Sequence, residues 1–227
     1  SHTGDEIELL DDYRNRYALY RTDPALQAAH AAYTWVVTWD DHEVDNNYAA
    51  GISQDGVPAE LFLRRRAVAY QAYYEHMPLR RASMPRESRM QLYRNFRWGD
   101  LASFFVLDTR QYRTDQPCGD RSGPTCNGML DSDATLLGET QERWLMDGLD
   151  RSTKRWTVIP QQIMMARVDR MPGDTEVFGM DIWSGYEVAR RRLMAFLATR
   201  RPANPIVLTG DIHSNWVNAL KVDYESE

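Results

Sequence analysis

The chain has 227 residues, 43% hydrophobic and 26% charged, with a formal net charge of -6 at pH 7. Such a length can bury a full core in a single domain, and the mix is that of a soluble globular protein. The acidic balance argues against a general nucleic-acid binder, which needs a basic face, and no apolar run approaches the roughly 20 residues that span a bilayer. Lys154 and Lys221 are the only lysines, so nearly all cations are arginine. Arginine suits bidentate contacts with phosphate or carboxylate; a GC-rich genome produces the same bias.

Helical spacing runs from Asp5 to Tyr20 through Ile7, Leu10, Tyr13, Tyr17 and Tyr20. Asp23-Pro24 restarts a helix, with Asp as cap and Pro in its first turn, and Ala25 to Ala32 continue it. Thr34 to Thr38 reads as a strand, followed by the acidic run Trp39-Asp40-Asp41-His42-Glu43. Tyr48 to Pro58 is loop, and Ala59 to Met77 is a long helix with Leu61, Phe62, Val68 and Tyr73 inward, closed by Pro78. Met90–Trp98 and Leu101–Leu107 read as a hairpin turning at Gly99-Asp100, the second strand apolar enough to be covered on both faces. Residues 111–137 form a long polar loop holding Cys118 and Cys126, which are either a disulfide of an exported protein or a reduced pair. A helix from Gly138 to Leu149, a buried strand from Trp156 to Ile159, an irregular stretch from Arg167 to Ile182 and a helix from Gly185 to Thr199 follow. A fourth buried strand, Ile206 to Thr209, leads to Gly210-Asp211-Ile212-His213, and Trp216 to Val222 starts another.

Four predicted strand ends therefore carry polar groups: Asp40 to Glu43, Asp108 with Arg110, Gln161 with Gln162, and Asp211 with His213. Ligands in open α/β sheets bind where strands point their carboxyl ends. Three acids around one histidine cannot be buried cheaply without a partner, so the first run is either a solvated loop or a cation site, with Asn46 and Asn47 as further oxygen donors. Asp and Asn oxygens suit hard cations and His suits transition metals, so the mixed set points to more than one ion. Two ions about 4 Å apart would clamp a phosphoryl oxygen and generate hydroxide from water. In a strand-like Asp-x-His both side chains face one way. Blander readings stand beside these: an Asp211–His213 hydrogen bond orienting a loop, a salt bridge from Arg110 to Asp108 or Asp100, and strand capping by Gln161 and Gln162. His30 and His76 fall on helices and read as structural, and His2 is uninformative.

The set Trp39-Asp40-Asp41-His42-Glu43-Val44 with Asn46-Asn47 resembles the PhoD-like alkaline phosphatase/phosphodiesterase family of metallophosphoesterases. So do Leu107 to Arg113, Leu137-Gly138 with Gln141 and Trp144-Leu145, Trp183-Ser184-Gly185-Tyr186, and Thr209 to His213, in the family's order over nearly the whole chain. The resemblance implies an α/β (α+β) fold, a four-layer αββα sandwich of two mixed β-sheets flanked by helices, here incomplete at both ends. It implies a metal-dependent phosphoric-ester hydrolase, an alkaline phosphatase or phospholipase D-like diesterase, in which metal-bound hydroxide attacks phosphorus.

By that resemblance Asp41, Asn46, Asn47, Asp211 and His213 ligate metal, with iron and calcium the ions expected. His42 touches phosphate or protonates the leaving oxygen, Arg110 assists catalysis, and Gln162, Trp183 and Tyr186 bind substrate. It further implies secretion through a twin-arginine signal not present in this chain, and a phosphate-ester or phospholipid substrate. Nothing in Ser1 to Tyr33 matches the family's upstream ligand segment, and the chain stops at Glu227. The expectation is therefore a central portion, residues 1–227, of a larger catalytic domain, with a companion chain or segment supplying the missing ligands. The alternative is an exported calcium- or carbohydrate-binding module with a degenerate site.

Overall fold

The computed structural model describes residues 6–224; the readings placed on Ser1 to Asp5, His2 included, and at Glu227 lie outside the described residues. Two compact units divide at Gln91 and Leu92.

The first unit is helical. The helix α1 (Leu10–Tyr20) starts where Asp12 turns its carboxylate back onto the Leu9 amide at 2.9 Å, and α2 (Pro24–Ala32) starts at Asp23, whose Oδ1 accepts from Ala25 and Leu26. The long α3 (Ala59–His76) buries Phe62, Ala69, Tyr70, Ala72 and Tyr73. Leu61, expected inward, is exposed, because Phe62, Ala69 and Tyr73 set the buried stripe and Leu61 falls beside it. Arg14 of α1 grips Glu75 of α3 through two bonds of 2.7 Å. Trp39 is stacked on Tyr70 at 4.0 Å and meets Tyr73 edge-on at 5.5 Å, which fixes the acidic run that follows to α3.

The segment Thr34–Thr38 is not a strand, which corrects the sequence reading. It carries the β-branched composition of one, but no neighbouring chain among the described residues offers it a ladder, and Tyr33, Trp35 and Val36 are exposed.

The second unit is built on one mixed sheet of four strands in the order β1-β2-β3-β4: Arg94–Trp98, Ala102–Val106, Trp156–Pro160 and Pro205–Leu208. The hairpin β1–β2 is antiparallel, with Trp98 opposite Ala102 across a loop entered through Gly99 at φ +51°. The strands β2, β3 and β4 run parallel, as crossovers through α4 (Gly138–Asp150) and α5 (Glu187–Arg200) require. Phe105, Leu107 and Ile159 share a core with Leu145 and Leu149 of α4 and Leu193 of α5. The helix α4 comes so close to β2 that a Cβ on Gly148 would lie 2.5 Å from the Phe105 ring.

Two further expectations change. The strand β4 forms, but Ile206 and Leu208 are exposed rather than buried: β4 is an edge strand among the described residues, and its one partner there is β3. Trp216–Val222 forms no strand, since its backbone finds no ladder among those residues. A short 3-10 turn, Trp183–Tyr186, leads directly into α5.

Candidate functional site

In the first unit, Asp41 organises the acidic run. Its Oδ1 accepts the His42 amide at 2.9 Å and its Oδ2 accepts the Asn47 amide at 3.0 Å, while its carbonyl accepts from Val44 and Asp45 at 2.8 Å. One side chain thus folds six residues into a closed turn, and Asn47 takes a left-handed φ of 49° to complete it. Asp41 is 4% exposed, and no cationic side chain pairs with it among the described residues. Glu43 accepts the Asp40 amide at 2.7 Å; burial pushes its carboxyl above the ordinary range, and the charge of Asp41 adds to this. His42 and Asn46 are exposed, and the Asn46 amide donates to Gln54. Asp45, which sequence reasoning passed over, is buried against Arg65 at 3.1 Å and Ser53 at 2.9 Å. A buried carboxylate with two amide donors and no counter-charge, beside a second acid that burial drives toward its neutral form, is a donor set that fits a hard cation.

In the second unit, the parallel strands bring three of the predicted strand ends to one edge. Leu107 donates to Pro160, Gln161 to Leu208 and Gly210 to Gln162, each at 2.9 Å, so the chain segments leaving β2, β3 and β4 stay in register. Asp108 is fully buried and accepts the Arg110 and Gln111 amides at 3.1 and 3.0 Å on Oδ1 and the Gln111 side chain at 3.0 Å on Oδ2. Gln141 of α4 brackets the Asp108 backbone, accepting its N–H at 2.9 Å and donating to its carbonyl at 2.8 Å. Gln162 does the same one strand over, accepting from both the amide and the hydroxyl of Thr109 and donating to Leu107. Gln161 accepts the indole N–H of Trp183 at 3.0 Å.

Arg110 pairs with neither Asp108 nor Asp100 in its principal contact. Its guanidinium forks onto Asp181 at 2.8 and 2.7 Å, where Arg113 and Gln116 also converge at 2.9 and 2.7 Å. Burial alone would raise the Asp181 carboxyl, but the charges of Arg113 and Arg110 and the bonds from Arg110 and Gln116 hold it below its usual range. Asp181 lies in the irregular stretch before Trp183, seventy-one positions from Arg110, and no local spacing signals it. Trp183 and Tyr186 are buried, the Tyr186 hydroxyl donating to the Thr114 carbonyl at 2.8 Å beneath the Arg113 guanidinium.

Asp211-Ile212-His213 differs from the expected strand-like geometry. The strand β4 ends at Leu208, and both Asp211 and His213 adopt left-handed backbone, at φ 66° and 55°. The alternation argument that put both side chains on one face therefore does not apply. Asp211 is half-buried and His213 exposed. The two cysteines are joined in a disulfide.

The fold is mixed α/β with parallel strand ends gathered on one edge, and the chain matches the PhoD-like phosphatase family over residues 1–227. The chain belongs to that family. It is 51% identical over 225 residues to alkaline phosphatase D of Bacillus subtilis (strain 168), covering 99% of this chain and 39% of that protein. It also matches a solved structure described as "Structure of PhoD" with a TM-score of 0.95 and 50% identity, over 100% of this chain and 43% of that one. The chain thus spans about two fifths of the length of these relatives. The expected companion chain finds no support in a relative of which this chain covers only 39%.

Proposed function

We propose that this chain is part of a metal-dependent hydrolase of phosphoric esters. The observation that carries the reading is the buried, amide-held and cation-less Asp41 within a chain matched end to end by a phosphatase family. Asp41, Asn46 and Asn47 are the candidate ligands of the first unit, and Asp211 and His213 those of the second. Carboxylate and amide oxygens suit calcium, and the addition of imidazole suits iron. The bound ions would neutralise charge on the phosphoryl oxygens and acidify water. His42, exposed at the end of the closed turn, contacts the phosphate and protonates the departing oxygen. Arg110 acts through position rather than contact, because its fork is engaged by Asp181, and Gln162, Trp183 and Tyr186 shape the wall behind the strand ends with their polar atoms turned inward.

The family and the alkaline phosphatase relative favour this reading over a non-catalytic binding module. The open apolar face of the sheet, with Phe96 stacked on Phe104 at 4.7 Å and Ile206 and Leu208 exposed, supports a second sheet packing there in the full-length protein. The Cys118–Cys126 bond supports an exported, oxidised protein. Assay of the full-length protein on a phosphomonoester, a simple diester and phosphatidylcholine, before and after metal chelation, tests the reading. Turnover abolished by chelation is expected, and turnover of none of the three by the metal-replete protein overturns it.

A further inference from the structure

Between α3 and Gln91 the first unit carries a basic segment that the proposed chemistry does not use. Pro78 to Gln91 holds four arginines, Arg80, Arg81, Arg86 and Arg89, against the single acid Glu87, in a chain whose net charge is -6. The segment is ordered by its own backbone. Arg81–Ser83 is a 3-10 turn, and Arg86-Glu87-Ser88-Arg89 is a tight reversal closed by reciprocal bonds of 2.8 and 3.1 Å between Arg86 and Arg89, with Glu87 at φ 53°. Residues paired in this way project their side chains to the same face, and like charges so placed repel.

Three other arginines of this unit are paired with acids: Arg14 with Glu75, Arg64 with Glu60 and Arg65 with Asp45. None of the four forms an ion pair or a side-chain hydrogen bond with another described residue. Arg80, Arg81, Arg86 and Arg89 are all exposed, and Met84, between the two pairs, is 50% exposed.

We propose that this segment is a docking surface for an anionic lipid bilayer. Guanidinium groups grip phosphate headgroups bidentately, a cluster of four or more arginines is the charge density that anionic leaflets attract, and the attraction acts within a Debye length, so the overall acidity of the chain does not cancel it. The exposed Met84 favours a bilayer over a nucleic acid: an unbranched apolar side chain among the cations inserts at the headgroup boundary, whereas single-stranded nucleic acid is held on aromatic platforms, and Arg80 to Arg89 contains no aromatic residue. The proposal stands apart from the proposed hydrolysis, since none of these residues belongs to the ligand set.

Co-sedimentation of the full-length protein with vesicles of phosphatidylcholine alone, or with phosphatidylglycerol added, tests it. Binding to the anionic vesicles only is expected, weakening about fivefold for each arginine removed. The Arg86→Gln/Arg89→Gln protein should therefore bind about 25-fold more weakly and Arg86→Lys/Arg89→Lys should retain binding. Met84→Ser should weaken it further, and 0.5 M salt should release the unmodified protein. Absence of binding to anionic vesicles, equal binding by the glutamine variant, salt-insensitive binding, or binding of a DNA oligonucleotide in place of vesicles each overturns the proposal. Hydrolysis of a soluble phosphomonoester, unchanged in the glutamine variant, separates this outcome from failure of the hydrolase reading.

Discussion

The ends of β2 and β4 sit on the same edge of one sheet and hold the same kinds of residue, yet they are built in opposite ways. After β2, every polar atom of Asp108, Thr109 and Arg110 named above is buried and matched, by Gln111, Gln141, Gln162 and Asp181. After β4, Asp211 and His213 lie toward the surface on left-handed backbone. Left-handed conformations cost energy in non-glycine residues and persist where function holds them. A matched polar cluster rigidifies a fold, whereas a less buried turn on left-handed backbone is where the ligand site is proposed. The difference separates frame from site better than residue type does.

The largest effect should follow from breaking the frame. Asp181→Ala removes the shared partner of Arg110 and Arg113 and leaves two buried guanidinium groups uncompensated, so equilibrium unfolding of the full-length protein should show a loss of about 3–5 kcal/mol. The site end should respond in the other currency. Asp211→Ala and His213→Ala are each expected to lower phosphoesterase turnover about 100-fold while moving the thermal midpoint little, because neither side chain is deeply buried. A large stability loss in either variant would collapse the contrast.

Smaller again, Gln162→Leu should destabilise by about 1–3 kcal/mol through the unmatched Thr109 and Leu107 groups, with KM for a phosphomonoester unchanged; a raised KM at equal stability would return Gln162 to the substrate. The smallest effect is conditional on pH. Because the folded-state carboxyl of Asp181 is held below its usual range, its stabilisation is complete above the unfolded carboxylate pKa of about 3.9 and is lost as pH falls through the folded value. Asp181→Asn should therefore flatten the acid limb of the thermal midpoint between pH 5 and 3 without changing its slope between pH 6 and 8.

The sheet of the second unit was legible because its signals are local. The apolar block before Asp108, the amphipathic Gly138–Asp150 helix and the block ending at Pro160 each combine period, length and a stop. Thr34–Thr38 carried the same local signal and is no strand here, since a ladder depends on a neighbour that composition does not encode. Asp41 and Asp211 are proposed as ligands from residue type and motif. Asp181 was not legible in that way, as its role arises from three side chains converging across sixty-five or more positions, and the left-handed turn at Asp211 was masked by the apparent continuity of the strand before it.

The brackets that set the strand ends are amides: Gln111, Gln141, Gln161 and Gln162. An amide has no proton to gain or lose in water's ordinary range. Had histidines or glutamates held these positions, each rise in pH would have redrawn the hydrogen bonds behind the strand ends. With glutamines there, a rise in pH leaves the donors and acceptors behind the strand ends as they were.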